Sequence, residues 1–347
     1  IKLSSMPSTE RRLLRLKTSP GTLATELSRG RWRAASHHRH LDAKLVALAT
    51  GRTEKRILLV EEPPRHGKSE HVSHYLPVWH VANWPDEMVA TISYADDFAK
   101  SWGRKARETF LECAGDFGLQ VDRRRDSAHE WGPLGYRGGM LTAGRGGPLT
   151  GRGFKMIVVD DPIKNSEEAQ SDTIKNQLWD WFRSTVWTRL EPGGCVVVMN
   201  TRWAADDLTG RILADTQFAP LVERVRLPAI AEEDDPLGRA IGHPLWPERW
   251  PLADLERIRG PWPGDYWWQA MYQQRPTQHA HAEWPDEYFE DVYAARWPDG
   301  FELSVVAVDA SEGKKRTSGD FGAIVFVGLC RGDLYVDADI ERRPVPE

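Results

Sequence analysis

The chain reads as an α/β protein: a domain built on a mainly parallel sheet, then a connecting region, then the opening strands of a second domain. Three observations predict this. Short aliphatic and β-branched runs at Arg56–Val60, Met88–Ser93, Lys155–Asp161 and Cys195–Asn200 alternate with stretches of helical periodicity, as in parallel strands joined by crossover helices. Residues 228–300 break that pattern with prolines and tryptophans. From Phe301, three apolar strands follow one another with no helix between them.

The elements follow in order. Residues 1–56 form a basic helical segment with 13 Lys and Arg against 4 Asp and Glu, a local net charge of +9 on a chain of net charge -5. A basic arm on an acidic body can bind nucleic acid or an acidic partner, and a solvated helix face explains it equally well. The 57–228 domain opens with the strand at Arg56–Val60. A helix is expected from Lys68, with Pro77 interrupting or ending it. Met88–Ser93 is a second strand, "DDFAKSWGRKARETFLE" a helix, and 123–153, rich in Gly and Arg, loops or short strands. "KMIVVDD" is a strand ending in two carboxylates. Ile174, Leu178, Trp181, Phe182 and Val186 recur at helical spacing within 166–190. "CVVVMN" is a fourth strand, Asp206–Ala214 a short helix, and "LVERVRLP" a strand. In 229–300 the tryptophans sit among prolines and acids, which favours packing over base stacking. In 301–347, "LSVVAVDAS", "AIVFVGL" and "LYVDADI" are strands, the last two joined by the hairpin signal "CRGD".

A length of 347 residues suits two domains or a little more, and 40% hydrophobic content suffices for packed cores. There is no apolar run long enough for a membrane span. The N-terminus lacks the apolar middle of a secretory signal and begins at Ile1, as expected of either a fragment or a chain with foreign residues at its start. Cys113, Cys195 and Cys330 are odd in number and far apart. They argue against a disulfide framework and for a reducing compartment.

"RILLVEEPPRHGKSE" carries the first chemical signal. Gly67-Lys68-Ser69 ends like a phosphate loop, in which backbone N–H groups and a helix N-terminus meet phosphate oxygens. Lys68 would reach the β- and γ-phosphates and the Ser69 hydroxyl would ligate Mg2+. The usual first glycine is replaced by Glu62, and Pro63 and Pro64 have no N–H. The cradle must then come from Arg65, His66, Gly67, Lys68 and Ser69, in a loop stiffened by proline. A nucleoside triphosphatase also needs a carboxylate for hydrated Mg2+ and a base for the attacking water. "MIVVDD" offers Asp160 for the metal shell and Asp161 for the water. An Asp-Asp-Pro turn capping a helix is the structural alternative.

With these residues in hand, the chain resembles the large subunit of the terminases of tailed bacteriophages, the motor that packages viral DNA. The resemblance rests on "PPRHGKSE", "SYADDFAKSWGRKAR", "LTGRGFKMIVVDDPIKN", "TRLEPGGCVVVMNTRWAADDLTGRIL", "RLPAIAEEDDPLGRAIGHPLWPERWP", "YQQRP" and "VVAVDASEGKKRTSGDFGAIVF", matching in order and approximate spacing. It implies a RecA-like phosphate-loop ATPase domain of the ASCE type, followed by an RNase H-like nuclease that stops incomplete at Glu347. It implies ATP and Mg2+ as cofactors, with Arg65 sensing the γ-phosphate, Asp160 on the metal and Asp161 as catalytic acid where other branches carry Glu. It places the coupling motif at Asn200-Thr201-Arg202. It places the first nuclease carboxylate at Asp309, with Asp320 as another acidic position, for Mg2+ or Mn2+.

Arg152 and Arg202 are candidates for an arginine finger donated between subunits, and each is equally a candidate for an internal ion pair. The family's adenine-contacting glutamine has no counterpart, and His38 or Arg39 in "HHRHLDAKL" lies in its place. The histidines there also suggest a metal site, but no Cys or paired carboxylate motif lies nearby in sequence. The partners implied are double-stranded DNA, the portal and procapsid, and the small terminase subunit. A homo-oligomeric ring during packaging, a monomer in solution, and a host-cytoplasmic location with transient procapsid docking are implied as well. A helicase-like translocase would need a second RecA-like domain, and none is legible after Pro228. A nuclease or transposase-like DNA-binding enzyme, or a capsid component with a vestigial site, would not need Lys68 beside Asp160 and Asp161.

Overall fold

The computed structural model describes residues 7–147, 149, 151–260, 266–276, 296–309 and 322–341. The chain divides into two units, Ile1–His281 and Ala282–Glu347.

The first unit begins with three helices, α1 (Ser8–Thr18), α2 (Pro20–Leu27) and α3 (Ser36–Ala49). Ser19 and Thr22 form a reciprocal capping box, and Pro20 takes the first turn of α2, where a missing N–H costs nothing. Strand β1 (Ile57–Glu61) leads into the loop, and helix begins at Lys68. Pro77 does not end that helix. The turn Glu70–Tyr75 is wound as π-helix, with Leu76 N–H donating to the His71 carbonyl five residues back. The widened turn accommodates the proline, and α4 (Leu76–Asn83) runs on through it.

The order continues with β2 (Met88–Ser93), α5 (Asp96–Cys113), β3 (Val121–Asp126), β4 (Glu130–Pro133), β5 (Gly139–Gly144) and β6 (Phe154–Asp160). The helical stretch after residue 165 is broken in two. Ser171 ends α6 (Ser166–Gln170) and caps α7 (Asp172–Trp181) by accepting from the Ile174 N–H. Then come β7 (Leu190–Asn200), α8 (Leu208–Ala214), β8 (Val222–Arg226) and α9 (Leu252–Arg259).

The eight strands lie in the order β3-β4-β5-β2-β6-β7-β1-β8. Every pairing from β5 to β8 is parallel, while β3 and β4 extend the edge antiparallel. Alternate residues serve opposite faces. Leu58, Val60, Val158 and Val197 join a core with α1–α5, whereas Ile57, Leu59, Val159 and Val198 join one with Leu178, Phe182 and Ile212. Burial on both faces explains why these strands read as unbroken apolar runs. The register aligns the C-terminal ends: Glu61 faces Asn200, Met199 faces Asp160, and Asp160 faces Ser93. Open parallel sheets bind ligands at that edge.

Residues 229–276 remain part of this unit. Gln273 exchanges hydrogen bonds with the Ile230 backbone at 3.0 and 3.1 Å. Ala229, Leu255 and Trp268 form a small core of their own, and Trp268 stacks on Tyr272. In the second unit β9 (Leu303–Asp309), β10 (Gly322–Cys330) and β11 (Asp333–Glu341) make an antiparallel sheet in the order β11-β10-β9. Arg331 and Gly332, at φ 55° and 92°, turn the β10–β11 hairpin.

All three cysteines are free. Among the described residues no helix is long and apolar enough to cross a membrane.

Candidate functional site

The loop after β1 adopts backbone geometry that proline and glycine dictate. Arg65 and Gly67 both lie in the left-handed region, at φ 60° and 104°. Alternating conformations of this kind make the backbone concave, a shape suited to anions. Gly67 is required twice over, because a Cβ there would also run into His38 Nε2.

Around the loop the side chains converge. Lys68 is 5% exposed, and its Nζ donates to Thr201 Oγ1 at 3.3 Å and lies 3.9 Å from Asp161 Oδ2. Ser69 Oγ donates to Asp160 Oδ1 at 3.2 Å, and Ser73 Oγ to Asp160 Oδ2 at 2.7 Å. Asp160 is fully buried; burial, together with the neighbouring Asp161, pushes its carboxyl up to about 7. Asp161 leaves the strand at φ 44°, its N–H donating to the Met199 carbonyl and its Oδ1 accepting the Thr201 N–H at 2.6 Å. Asn200 and Thr201 are buried at the end of β7. The structure thus gathers Lys68, Ser69, Asp160, Asp161 and Thr201 from three strand ends. Ser73 was missed in the sequence, although it lies one helical turn beyond Ser69.

Arg202 is held differently. Its guanidinium donates to Glu61 Oε2 at 2.9 Å and to Asp207 Oδ2 at 2.7 Å. Glu61 also takes two bonds from Arg224. Beside these two carboxylates the Arg202 guanidinium is raised above its ordinary pKa despite its burial. Arg152 is 43% exposed and pairs with Glu130 at 2.9 Å. Part of the N-terminal basic excess is neutralised by acids outside the segment, as Arg12 pairs with Asp116, Arg29 with Glu112 and Lys44 with Glu223.

A cavity of about 850 Å³ opens beside the loop, lined by Arg65, Gly67, Lys68 and Ser69 together with Arg31, Trp32, Arg33, Tyr75, Trp246 and Arg249. The aromatic and cationic side of this lining is gathered from residues 27–33, 74–75, 98–105 and 246–249, segments that only the fold brings together. His38 and Arg39 are not among its lining residues; Arg39 instead donates to the Ala34 carbonyl.

His37, His38 and Glu62 bring ligand atoms within 4.8 Å of one another, all three buried. Glu62 supplies the carboxylate that the sequence did not place near the histidines. Hydrogen bonding nevertheless fixes His38 as a donor. Its Nδ1 accepts the Ala35 N–H at 3.0 Å, so Nε2 carries the proton and donates to the His66 carbonyl at 2.8 Å. Burial, the leading cause in each case, lowers His37 to about 4, His38 to about 2 and His66 to about 3, keeping all three imidazoles neutral. Burial likewise pushes Glu62 up to about 8, opposed by Lys68.

In the second unit Asp309 ends β9 opposite Ala323 and is exposed. Asp320 lies outside the described residues.

No family model matches the chain, and no curated protein matches it in sequence. Solved structures do share its fold. The large terminase of bacteriophage HK97 aligns over 96% of this chain and 68% of its own, with a TM-score of 0.50 and 11% identity. The large terminase of a thermophilic bacteriophage aligns over 86% of this chain and 68% of its own, with a TM-score of 0.41 and 12% identity. The ATPase domain of the Thermus phage P74-26 large terminase aligns over 70% and 98% respectively, with a TM-score of 0.40 and 15% identity. These structural neighbours are large terminases, and the HK97 alignment carries the likeness of fold: mixed α/β with a large, mainly parallel sheet.

Proposed function

We propose that this chain hydrolyses ATP as the motor subunit of a viral DNA-packaging terminase. One observation carries the reading: an amine, a hydroxyl and two carboxylates, at Lys68, Ser69, Asp160 and Asp161, meet at the C-terminal ends of β1 and β6 beneath a concave loop. In this reading an ATPase domain spans 57–228, preceded by the helical segment 1–56 and followed by the connecting region 229–300 and the second domain from 301.

The triphosphate enters the cavity with its phosphates against Arg65–Ser69. Lys68 reaches the β- and γ-phosphates, and exposed Arg65 reads the γ-phosphate. Ser69 Oγ and Asp160 Oδ1 lie 3.2 Å apart, near the ~3 Å between adjacent oxygens in an octahedral shell with bonds of about 2.1 Å. That all-oxygen pair suits Mg2+, which when bound there would neutralise charge on the phosphate oxygens. Asp161 orients the attacking water. The water oxygen bonds to the γ-phosphorus, the bond from that phosphorus to the bridging oxygen breaks, and the water proton passes to Asp161. ADP leaves with the bridging oxygen.

Thr201 links this step to the rest of the domain. Its hydroxyl accepts from Lys68 and its N–H donates to Asp161, while the next residue, Arg202, is anchored to Glu61 and Asp207. Loss of the γ-phosphate frees Lys68 and Asp161 to re-pair, and the segment Asn200–Arg202 responds. The buried ion pairs of Arg202 fit this internal role, and the more exposed Arg152 fits a finger offered to a neighbouring subunit in a ring.

Translocated double-stranded DNA would be held through its phosphates, since a motor must be indifferent to sequence. Portal, procapsid and small subunit are the partners in this reading, met in the host cytoplasm. The RNase H-like assignment of the second unit rests on Asp309 at the end of β9. One carboxylate does not make a two-metal site.

ATP turnover tests the reading. Lys68→Ala should abolish phosphate release while the far-UV dichroism stays that of the parent chain, and unchanged turnover would remove the assignment. Stimulation by double-stranded DNA separates a packaging motor from an ATPase that ignores nucleic acid.

A further inference from the structure

The loop between β1 and the helix at Lys68 lacks the first glycine of the usual phosphate-loop pattern and contains two prolines, yet its backbone is concave. Side chains hold it in that form, one from within the loop and three from outside it. The Pro64 carbonyl accepts from His66 Nδ1 at 2.9 Å, the Arg65 carbonyl from Trp250 Nε1 at 3.4 Å, and the His66 carbonyl from His37 Nε2 at 3.0 Å and His38 Nε2 at 2.8 Å. Three consecutive carbonyls are therefore each engaged by a side-chain N–H.

In a planar trans peptide the C=O of one residue and the N–H of the next point in opposite directions. Engaging the carbonyls of Pro64, Arg65 and His66 on one side turns the N–H groups of Arg65, His66 and Gly67 to the other. Gly67 and Arg65 line the cavity, whereas His37, His38 and His66 do not. The side chains therefore fix the orientation that a glycine-rich loop reaches through its own conformational freedom.

The strongest of these engagements is the histidine pair at the start of α3. Both rings are buried, in contact with each other at 3.9 Å between centroids and with Trp246 at 5.4 and 4.8 Å. His38 has its tautomer fixed by the Ala35 N–H, and its ring fills the space that a Cβ on Gly67 would need. Trp250 adds a weaker bond and stacks on His66 at 5.9 Å.

We propose that His37 and His38 are positioning residues for nucleotide binding: their Nε2–H groups hold the His66 carbonyl away from the cavity and so aim the Gly67 N–H at a bound phosphate. This rests on the ATPase reading of the same site and assigns to α3 a task that the phosphate-loop residues do not perform for themselves.

Glutamine can place an amide nitrogen near the position of Nε2 and keep the donated bond, whereas leucine fills similar space without a donor. Magnesium–ATP affinity, measured by calorimetry, should weaken on the order of tenfold in the double variant His37→Leu/His38→Leu. It should stay within about threefold of the parent in His37→Gln/His38→Gln. Circular dichroism and thermal melting check that each variant folds. Should the double leucine variant not fold, His37→Met/His38→Met, an unbranched pair that also lacks the donors, carries the same test. A folded leucine variant with parental affinity overturns the proposal. So does a glutamine pair as impaired as the leucine pair, because packing would then be the whole effect. If the parent chain itself binds no ATP, the ATPase reading has failed and this inference with it. Parental binding with an unaffected leucine variant defeats this inference alone.

Discussion

At the scale of single residues, the phosphate loop is where a side chain and a backbone angle decide the outcome. Gly67→Ala meets both a positive φ and the His38 ring. It should cost roughly 2–4 kcal/mol in urea unfolding and weaken nucleotide binding as well. Glu62 replaces a glycine in the pattern and carries a buried carboxyl whose two oxygens find no hydrogen-bond partner. Burial raises its pKa from 4.5 to about 8. Across that interval the unfolded chain has released a proton that the folded chain keeps, so stability from this group falls as pH rises through the window. Glu62→Gln removes the effect. Relative to the parent, the variant should gain on the order of 2–4 kcal/mol at pH 8 compared with pH 5, and equal differences at the two pH values would refute the burial argument. Lys68, Ser69, Asp160 and Asp161 were legible because each falls in a short string with a strand beside it. Trp32, Trp246 and Arg249 were not, because they approach the cavity from segments far away in sequence and only folding brings them together.

At the scale of elements, the parallel strands were the most legible part of the chain. β1, β2, β6 and β7 are buried on both faces, so each appears as a plain apolar run. The helix after the loop was harder. Pro77 signals a break by every local rule, and the π-wound turn that tolerates it is a property of winding, not of composition. The division at Ser171 was also hidden, since the apolar spacing of Ile174 and Leu178 continues through Phe182 into the next turn. The ends of β1, β7 and β8 are joined by Glu61, which takes Arg202 and Arg224 at once while fully buried. Removing Glu61 leaves the buried Arg202 guanidinium with Asp207 alone, whereas Arg224, 41% exposed, reaches solvent. Glu61→Gln should therefore cost about 3–5 kcal/mol by chemical denaturation, and a loss below about 1 kcal/mol would mean that solvent already reaches the set.

At the scale of the whole molecule, the boundary near residue 281 separates a unit with a ligand cavity from a small antiparallel sheet. A nucleotide analogue at about 100 times its Kd should stabilise the first unit by ~2.7 kcal/mol and raise its Tm by roughly 5 °C. Lys68→Ala should abolish that shift, and hydrogen exchange in β10 and β11 should not respond; protection appearing there on binding would show that the second unit takes part. Along the sequence the texture changes at Pro228 and again at Phe301, whereas the structural split falls at His281. The attachment of residues 229–276 to the first unit could not be read from the sequence, since it depends on Gln273 reaching back to Ile230. Pro63 and Pro64 have a thermodynamic consequence for the same loop. A segment with two fixed φ angles and three clamped carbonyls has little configurational freedom left to surrender when a phosphate arrives. Calorimetry should therefore record an association with a small entropic penalty, unlike that of a glycine-rich cradle that must first become ordered.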